Sequence, residues 1–149
     1  MVGPAQLNYA DAASFRPGDR SHARELGLAD RADFGALQAA CDPVDWGLKG
    51  FDPDAKRTFG AFSIRGELFA VADYEVWAAR IAHLSVVAHP HARGQGYGLR
   101  AVAAAATCAL ESNLVLQYRA LRDNRASLRV ATKLGFQSYG WSIAARFAA

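Results

Sequence analysis

The chain has 149 residues, enough for one domain with a core of its own. A hydrophobic fraction of 52% and a charged fraction of 21% are those of an ordinary soluble protein, and a net charge of +3 is too small to argue for a nucleic-acid partner. Two scattered cysteines, Cys41 and Cys108, make neither a disulfide framework nor a zinc motif. They suit a reducing, cytoplasmic setting. Residues 1–15 lack the basic and apolar regions of a secretory signal, and no apolar stretch reaches the roughly 18 residues of a membrane span.

In chain order, residues 1–22 carry only short apolar patches, LNY at 7–9 and SF at 14–15, between Asp, Pro and Gly. They read as a lead-in of uncertain role with at most a short strand, or as the tail of something that preceded the domain. Residues 23–41 read as a short strand and then a helix, with Asp30 as N-cap and Phe34, Leu37 and Cys41 at helical spacing. Asp42-Pro43 ends that helix. Residues 42–58, rich in Asp, Gly and Pro, read as a loop with one turn of helix, of a length typical of a lid or substrate wall. FGAFSI (59–64) and ELFAVADYEVW (67–77), joined by Arg65-Gly66, form a hairpin, and RIAHLSVVAH (80–89) is a third antiparallel strand. A long alanine-rich helix is expected over 94–113, followed by the strand LVLQYRAL (114–121). A crossover through a helix makes that strand parallel to 80–89. A short helix from Asp123-Asn124, with Leu128, Ala131 and Leu134 inward, ends at Gly135. A last strand or hairpin occupies 136–147. The expected fold class is therefore mixed α/β (α+β), a single domain over 1–149 with helices on both faces of a mostly antiparallel sheet.

The chemistry concentrates in HPHARGQGYGLR, residues 89–100. A helix beginning near Gly94 would present unpaired backbone N–H groups and the positive end of its dipole, which is an anion site. Gly94, Gly96 and Gly98 would let a phosphate approach the backbone, with Arg93 and Arg100 adding charge. The dinucleotide pattern G-x-G-x-x-G fails because residue 99 is leucine, and no Gly-Lys-Ser/Thr exists for a Walker loop. His89 and His91, without a third ligand, do not make a metal site.

What does match is Q/R-x-x-G-x-G/A, here Arg93, Gly96 and Gly98, behind a strand ending V-x-x-H-P. A second stretch, DNRASLRVATKLGF, matches N-x-x-S/A-x-x-x-x-x-K-x-G-F through Asn124, Ser127, Lys133, Gly135 and Phe136. The two stretches, in this order and with a strand between them, resemble the GNAT superfamily of acetyl-CoA-dependent N-acetyltransferases. The resemblance covers residues 23–149.

The resemblance implies the GNAT fold, with the strands before and after the long helix splayed apart at the site. It also implies that acetyl-coenzyme A is the cofactor. The backbone of Val86, Val87 and Ala88 would run beside pantetheine. The loop Arg93, Gly94, Gln95, Gly96, Tyr97 and Gly98 would take the pyrophosphate. Asn124 and Ser127 would lie at the same mouth. The implied reaction is direct attack of an amine on the thioester, with a backbone N–H near Val87 for the oxyanion and a base for the amine proton. Many relatives place an acidic tyrosine seven residues after the motif asparagine; this chain has Ala131 there. Tyr139 and Ser127 stand as alternative acids. Glu75, Asp73 and Tyr74 are candidates for acceptor binding or proton removal. Ala82 and Leu84 occupy the strand positions that often carry a base, and His83, between them, reads as a core histidine. The acceptor, a small-molecule or peptide amine, would lie against 34–58 and 137–147, with Trp46, Phe51, Trp77 and Trp141 as candidate walls. A non-catalytic acyl-CoA-binding module on the same fold is the competing reading. Homodimers are common in the family, and the C-terminal strand offers an edge for one.

Overall fold

The computed structural model describes residues 2–144, with side chains over 4–143. Seven strands form one sheet: β1 (Val2–Ala10), β2 (Ala23–Glu25), β3 (Thr58–Phe62), β4 (Leu68–Trp77), β5 (Ile81–Ala88), β6 (Val115–Leu121) and β7 (Gln137–Ala144). Four helices accompany them: α1 (Arg31–Ala40), α2 (Pro43–Lys49), α3 (Tyr97–Glu111) and α4 (Arg125–Lys133). The strand order is β2-β3-β4-β5-β6-β1-β7. Every neighbouring pair is antiparallel except β5 and β6, which are parallel across the α3 crossover. The expected mixed, mostly antiparallel α/β class holds, and helices cover both faces.

Alternation along β4 and β5 sorts the two faces. Ala70, Ala72, Ala82 and Leu84 point to α3 and α4, while Val71 and Val87 point to α1 and α2; a register shift at the start of β4 brings Leu68 to the second face as well. The α3 face is an alanine-on-alanine contact. Ala101, Ala103, Ala105, Ala106 and Ala109 of the helix are fully buried over Ala61, Ala70, Ala72 and Ala82 of the sheet. Small residues on both sides let the helix axis approach the sheet closely, and a larger side chain would overpack the contact. On the other face Phe34 and Leu37 of α1 and Trp46 of α2 pack on Phe62, Leu68, Val71 and Val87. Phe34 and Trp46 meet edge to face at 5.3 Å.

The N-terminal stretch differs most from its sequence reading. Residues 2–10 are a nine-residue strand inside the sheet, paired with β6 on one side and β7 on the other. Ala5, Asn8 and Ala10 are buried. The polar Asn8 at a buried position breaks the apolar alternation that would have marked the strand. It is satisfied there because Nδ2 donates to the Tyr118 carbonyl at 3.1 Å.

The 42–58 loop contains two full turns, α2. Asp42 caps it by accepting from the Val44 and Asp45 amides, Pro43 fits its first turn, and Gly50 ends it in the left-handed region. Asp30 precedes α1 without capping it. Its carboxylate takes the Gly27 amide at 2.7 Å and both Arg24 guanidinium nitrogens at 2.8 Å, which hold its pKa down to about 2. The long helix starts at Tyr97 rather than Gly94, because Gly94 and Gly96 adopt φ of +79° and +86°. At the end of α4, Gly135 (φ +82°) lies so close to residue 14 that a Cβ would sit 2.1 Å from the Ser14 carbonyl oxygen. There the Arg16 amide donates to the Leu134 carbonyl, pinning the 11–16 segment. Of the last strand expected over 136–147, residues 145–147 lie outside the described residues.

Candidate active site at the divergence of two parallel strands

The β5–β6 ladder runs from Ile81↔Val115 to Leu84↔Tyr118 and stops. β5 continues alongside β4 to Ala88, and β6 alongside β1 to Leu121. The two strands therefore part after Leu84 and Tyr118. This leaves a cleft at their carboxyl ends, where open α/β sheets bind ligands. Val86, Val87 and Ala88 form one wall of it. The Val87 side chain belongs to the α1–α2 core, and Val86 lies under α3, its Cγ2 3.6 Å from where a Cβ on Gly98 would be.

One lip is the loop between β5 and α3. Pro90–Ala92 makes a turn of 3₁₀ helix, with the His89 Nδ1 accepting from the His91 amide. Arg93, Gly94 and Gln95 are exposed. Gly94 and Gly96 turn the backbone through left-handed conformations, and a Cβ on either would meet open space. Successive amides in such turns make an anion-binding concavity, and here it leads into the N-terminus of a fifteen-residue helix. Tyr97 packs edge-on to Phe69 at 5.1 Å. Arg100 lies over the Tyr97 ring and pairs with Asp19 at 3.4 Å, so its charge is shared; Arg93 has no acidic partner among the ion pairs formed by the described residues.

The other lip is α4. The Asn124 side chain caps it, accepting the Ser127 amide at 3.1 Å. Behind it lies Tyr118, 2% exposed, whose phenol pKa is raised chiefly by burial, with the nearby Ser127 acting in the opposite direction. The predicted Ser127 and Asn124 are thus together, with Tyr118 as a companion.

At the base of the cleft, on the face toward α2, four strands bring polar side chains into line. His83 of β5 stacks on Trp77 of β4 at 4.3 Å and 10°. Its Nδ1 meets Gln117 Oε1 of β6 at 2.7 Å, and Gln117 Nε2 donates to the Tyr9 hydroxyl of β1 at 2.7 Å. Glu75 is the ladder partner of His83. Burial is the largest influence on His83 and pushes its pKa down; the Gln117 hydrogen bond and Glu75 push it up, and Arg119 and Lys49 push it down. The imidazole is therefore neutral at pH 7 and able to accept a proton. Two residues further along β4, Asp73 is buried with Lys56 at 3.2 Å, and its pKa is raised chiefly by burial.

Tyr139 is not at the cleft. It stands on β7, with β1 between it and β6, 70% exposed, its hydroxyl donating to Gln137 and its ring edge-on to Tyr9 at 5.7 Å. Trp46, expected as an acceptor wall, is buried in the α1–α2 core. Tyr9 and Gln117 escaped the sequence reading. The signal for Gln117 was present: a lone amide within an apolar strand must find a partner when buried.

A protein-family model described as "Acetyltransferase (GNAT) domain" matches residues 15–137. No curated protein matches the chain. Among solved structures, one described as an acetyltransferase from the GNAT family of Novosphingobium aromaticivorans aligns at a TM-score of 0.73 and 23% identity. A GNAT-family acetyltransferase from Colwellia psychrerythraea aligns at 0.71 and 17%. A ribosomal-protein-alanine N-acetyltransferase from Brucella melitensis aligns at 0.60 and 22%, over 79% of this chain and 85% of that one. The first two cover 95% and 93% of this chain, but it spans only 62% and 53% of theirs. At these identities the likeness speaks to the fold.

Proposed function

The chain belongs to the GNAT acetyltransferase family, whose members transfer acyl groups from acyl-CoA, and from that premise we propose that it moves an acetyl group from acetyl-CoA to a primary amine. The observation that carries this is the position of His83. It is a neutral imidazole one residue before the β5–β6 ladder ends, where the reacting carbonyl of an acyl donor lying along the cleft would come to rest.

The residues present fit such a donor. The concavity of Gly94, Gln95 and Gly96, the first amides of α3 at Tyr97 and Gly98, and the Arg93 guanidinium suit a pyrophosphate. The free edge of Val86–Ala88 suits an extended amide-bearing arm laid down like an added strand. Asn124 and Ser127 close the far lip. Bound acyl-CoA supplies an activated acyl group. The chain supplies the rest: His83 accepts the proton of the attacking amine, a backbone N–H near Val87 stabilises the developing oxyanion, and Glu75 faces a cationic acceptor. Ser127, backed by the protonated Tyr118 phenol, is the donor to the departing thiolate. Tyr139 acts at a distance, as the aromatic neighbour of Tyr9.

A peptide or small-molecule amine fits the open α2 side, where Val44, Leu48 and Trp77 are exposed. The name of the Brucella relative supports an amine acceptor. β7, an edge strand with Trp141 and Ile143 exposed, is the surface for a homodimer. The cytoplasm is the compartment in which acetyl-CoA and two free thiols coexist. One observation favours the alternative of a non-catalytic acyl-CoA-binding module: residue 131, where the family resemblance implies that many relatives carry an acidic tyrosine, is a buried alanine.

Thiol release from acetyl-CoA with a panel of amines and short peptides tests the proposal. Amine-dependent release is expected. Tight coenzyme A binding without turnover on any acceptor would favour the binding module. Calorimetry should rank coenzyme A above ATP and NAD; the reverse ranking would sink both.

A further inference from the structure

The family match begins at residue 15, yet β1 lies wholly before it and reaches the site through one side chain. We propose that Tyr9 is a positioning residue: acting through Gln117, it fixes the tautomer of His83 so that Nε2 is the atom that accepts the proton. This rests on the acetyltransferase reading for its catalytic meaning, but not for its structural content.

The argument is one of donors and acceptors. A glutamine amide has one oxygen that only accepts and one nitrogen that only donates. Gln117 is 6% exposed, so both ends must be satisfied within the protein. Its nitrogen gives a hydrogen to the Tyr9 hydroxyl, so its oxygen faces His83 Nδ1. A carbonyl oxygen can pair with Nδ1 only if Nδ1 carries the hydrogen. Nε2 is then left with the lone pair.

The opposite amide orientation would give the opposite enzyme. If Tyr9 donated to Oε1, the amide nitrogen would donate to Nδ1, and Nε2 would hold the ring hydrogen and be useless as a base. What selects between the two is where the Tyr9 hydroxyl sends its own proton. Tyr9 lines an open groove of about 840 Å³ with Asp11, Arg16, Gln137 and Tyr139. A hydroxyl proton turned toward this groove leaves the phenolic oxygen to accept from Gln117, the direction in which that hydrogen bond runs. Glutamine does not itself pass a proton along, so this chain orients the base and does not drain it.

The groups around His83 complete the account: Glu75 on β4, Arg119 on β6 and Lys49 on α2 set its charge environment, and Trp77 fixes its ring plane. None of them makes a hydrogen bond to Nδ1 among the described residues, so the tautomer is left to Gln117.

Two measurements test this. Long-range nitrogen-15 shifts of His83 in the free protein need no substrate. They should report the Nδ1–H form in the parent and a mixture or the reverse in Tyr9→Phe. An Nε2–H parent, or no change in Tyr9→Phe, overturns the proposal. The second is a cycle on kcat with Gln117→Glu. A carboxylate only accepts, so it holds Nδ1–H whatever Tyr9 does and raises the pH at which activity begins. Tyr9→Phe should cost about tenfold in kcat in the glutamine background and less than about twofold in the glutamate background. Equal losses in both would mean that Tyr9 merely supports the fold. Should the parent lack acetyltransferase activity, the proposed function fails while the nitrogen shifts still decide the tautomer.

Discussion

Under the proposed function, the two halves of the cleft are made of different material. The donor half, from Val86 to Gly98, is main chain: strand edge, left-handed turns and the first amides of α3. The acceptor half is side chain: His83, Gln117, Tyr9, Glu75 and Trp77, drawn from β5, β6, β1 and β4. A backbone site needs particular residues at fixed spacing, because only glycine turns and a helix start place amides correctly. A side-chain site needs only that distant strands lie side by side. The first is written locally in the sequence, and the second only in the topology.

Breaking the halves separately should show this. The largest effect is expected for His83→Ala, which should lower kcat by about 10²–10⁴-fold while leaving coenzyme A affinity unchanged by calorimetry. A comparable loss of affinity would mean that the halves are not separable. Gly98→Glu puts a carboxylate at the dipole-positive end of α3 and should weaken coenzyme A binding by about tenfold or more, with the thermal transition nearly unmoved. Unchanged affinity would remove the pyrophosphate assignment. Gly96→Ala must hold φ near +86°, at a cost of about 1–2 kcal/mol, visible in denaturant unfolding as well as in binding. Asn124→Ala removes the α4 cap and should cost about 1 kcal/mol of stability.

The smallest effect is one of pH, and its sign follows from His83. In the folded chain its pKa is depressed, chiefly by burial, so the unfolded state binds its proton first as pH falls. Stability should therefore drop from the ordinary histidine range, about pH 6.5, down to the folded value, and kcat/KM should fall over the lower part of the same window. His83→Phe should flatten the stability profile there. A parent profile already flat would contradict the buried, neutral imidazole.

Much of the fold was legible. The β3–β4–β5 meander, the parallel crossover and the α4 cap follow from alternation, turn residues and an asparagine. The glycine turns ahead of α3 and the Asn124 cap were legible too, and the donor role proposed for them rests on the family resemblance. The reading of His83 as a satisfied core histidine agrees with its hydrogen bond to Gln117 and its stack on Trp77, but its partners Gln117 and Tyr9 are far from it in sequence and were not legible. β1 was read as at most a short strand for a related reason. Asn8, at a buried position, looks wrong for an interior strand until the Tyr118 carbonyl beside it is known. The same holds for Trp46, whose aromatic bulk reads equally as ligand wall or core.

The place of β1 also has a meaning in time. Asn8 and Tyr118, hydrogen-bonded neighbours, are 110 residues apart along the chain. β7, on the other side of β1, comes later still. The meander can assemble from local contacts within microseconds to milliseconds, whereas β1 must wait for both its neighbours. Until it arrives, β6 and β7 are separate edges with a strand-wide slot between them. On the proposed function, a newly made chain would hold its phosphate loop before it holds an oriented base, and a second molecule's N-terminal strand could fill the slot first.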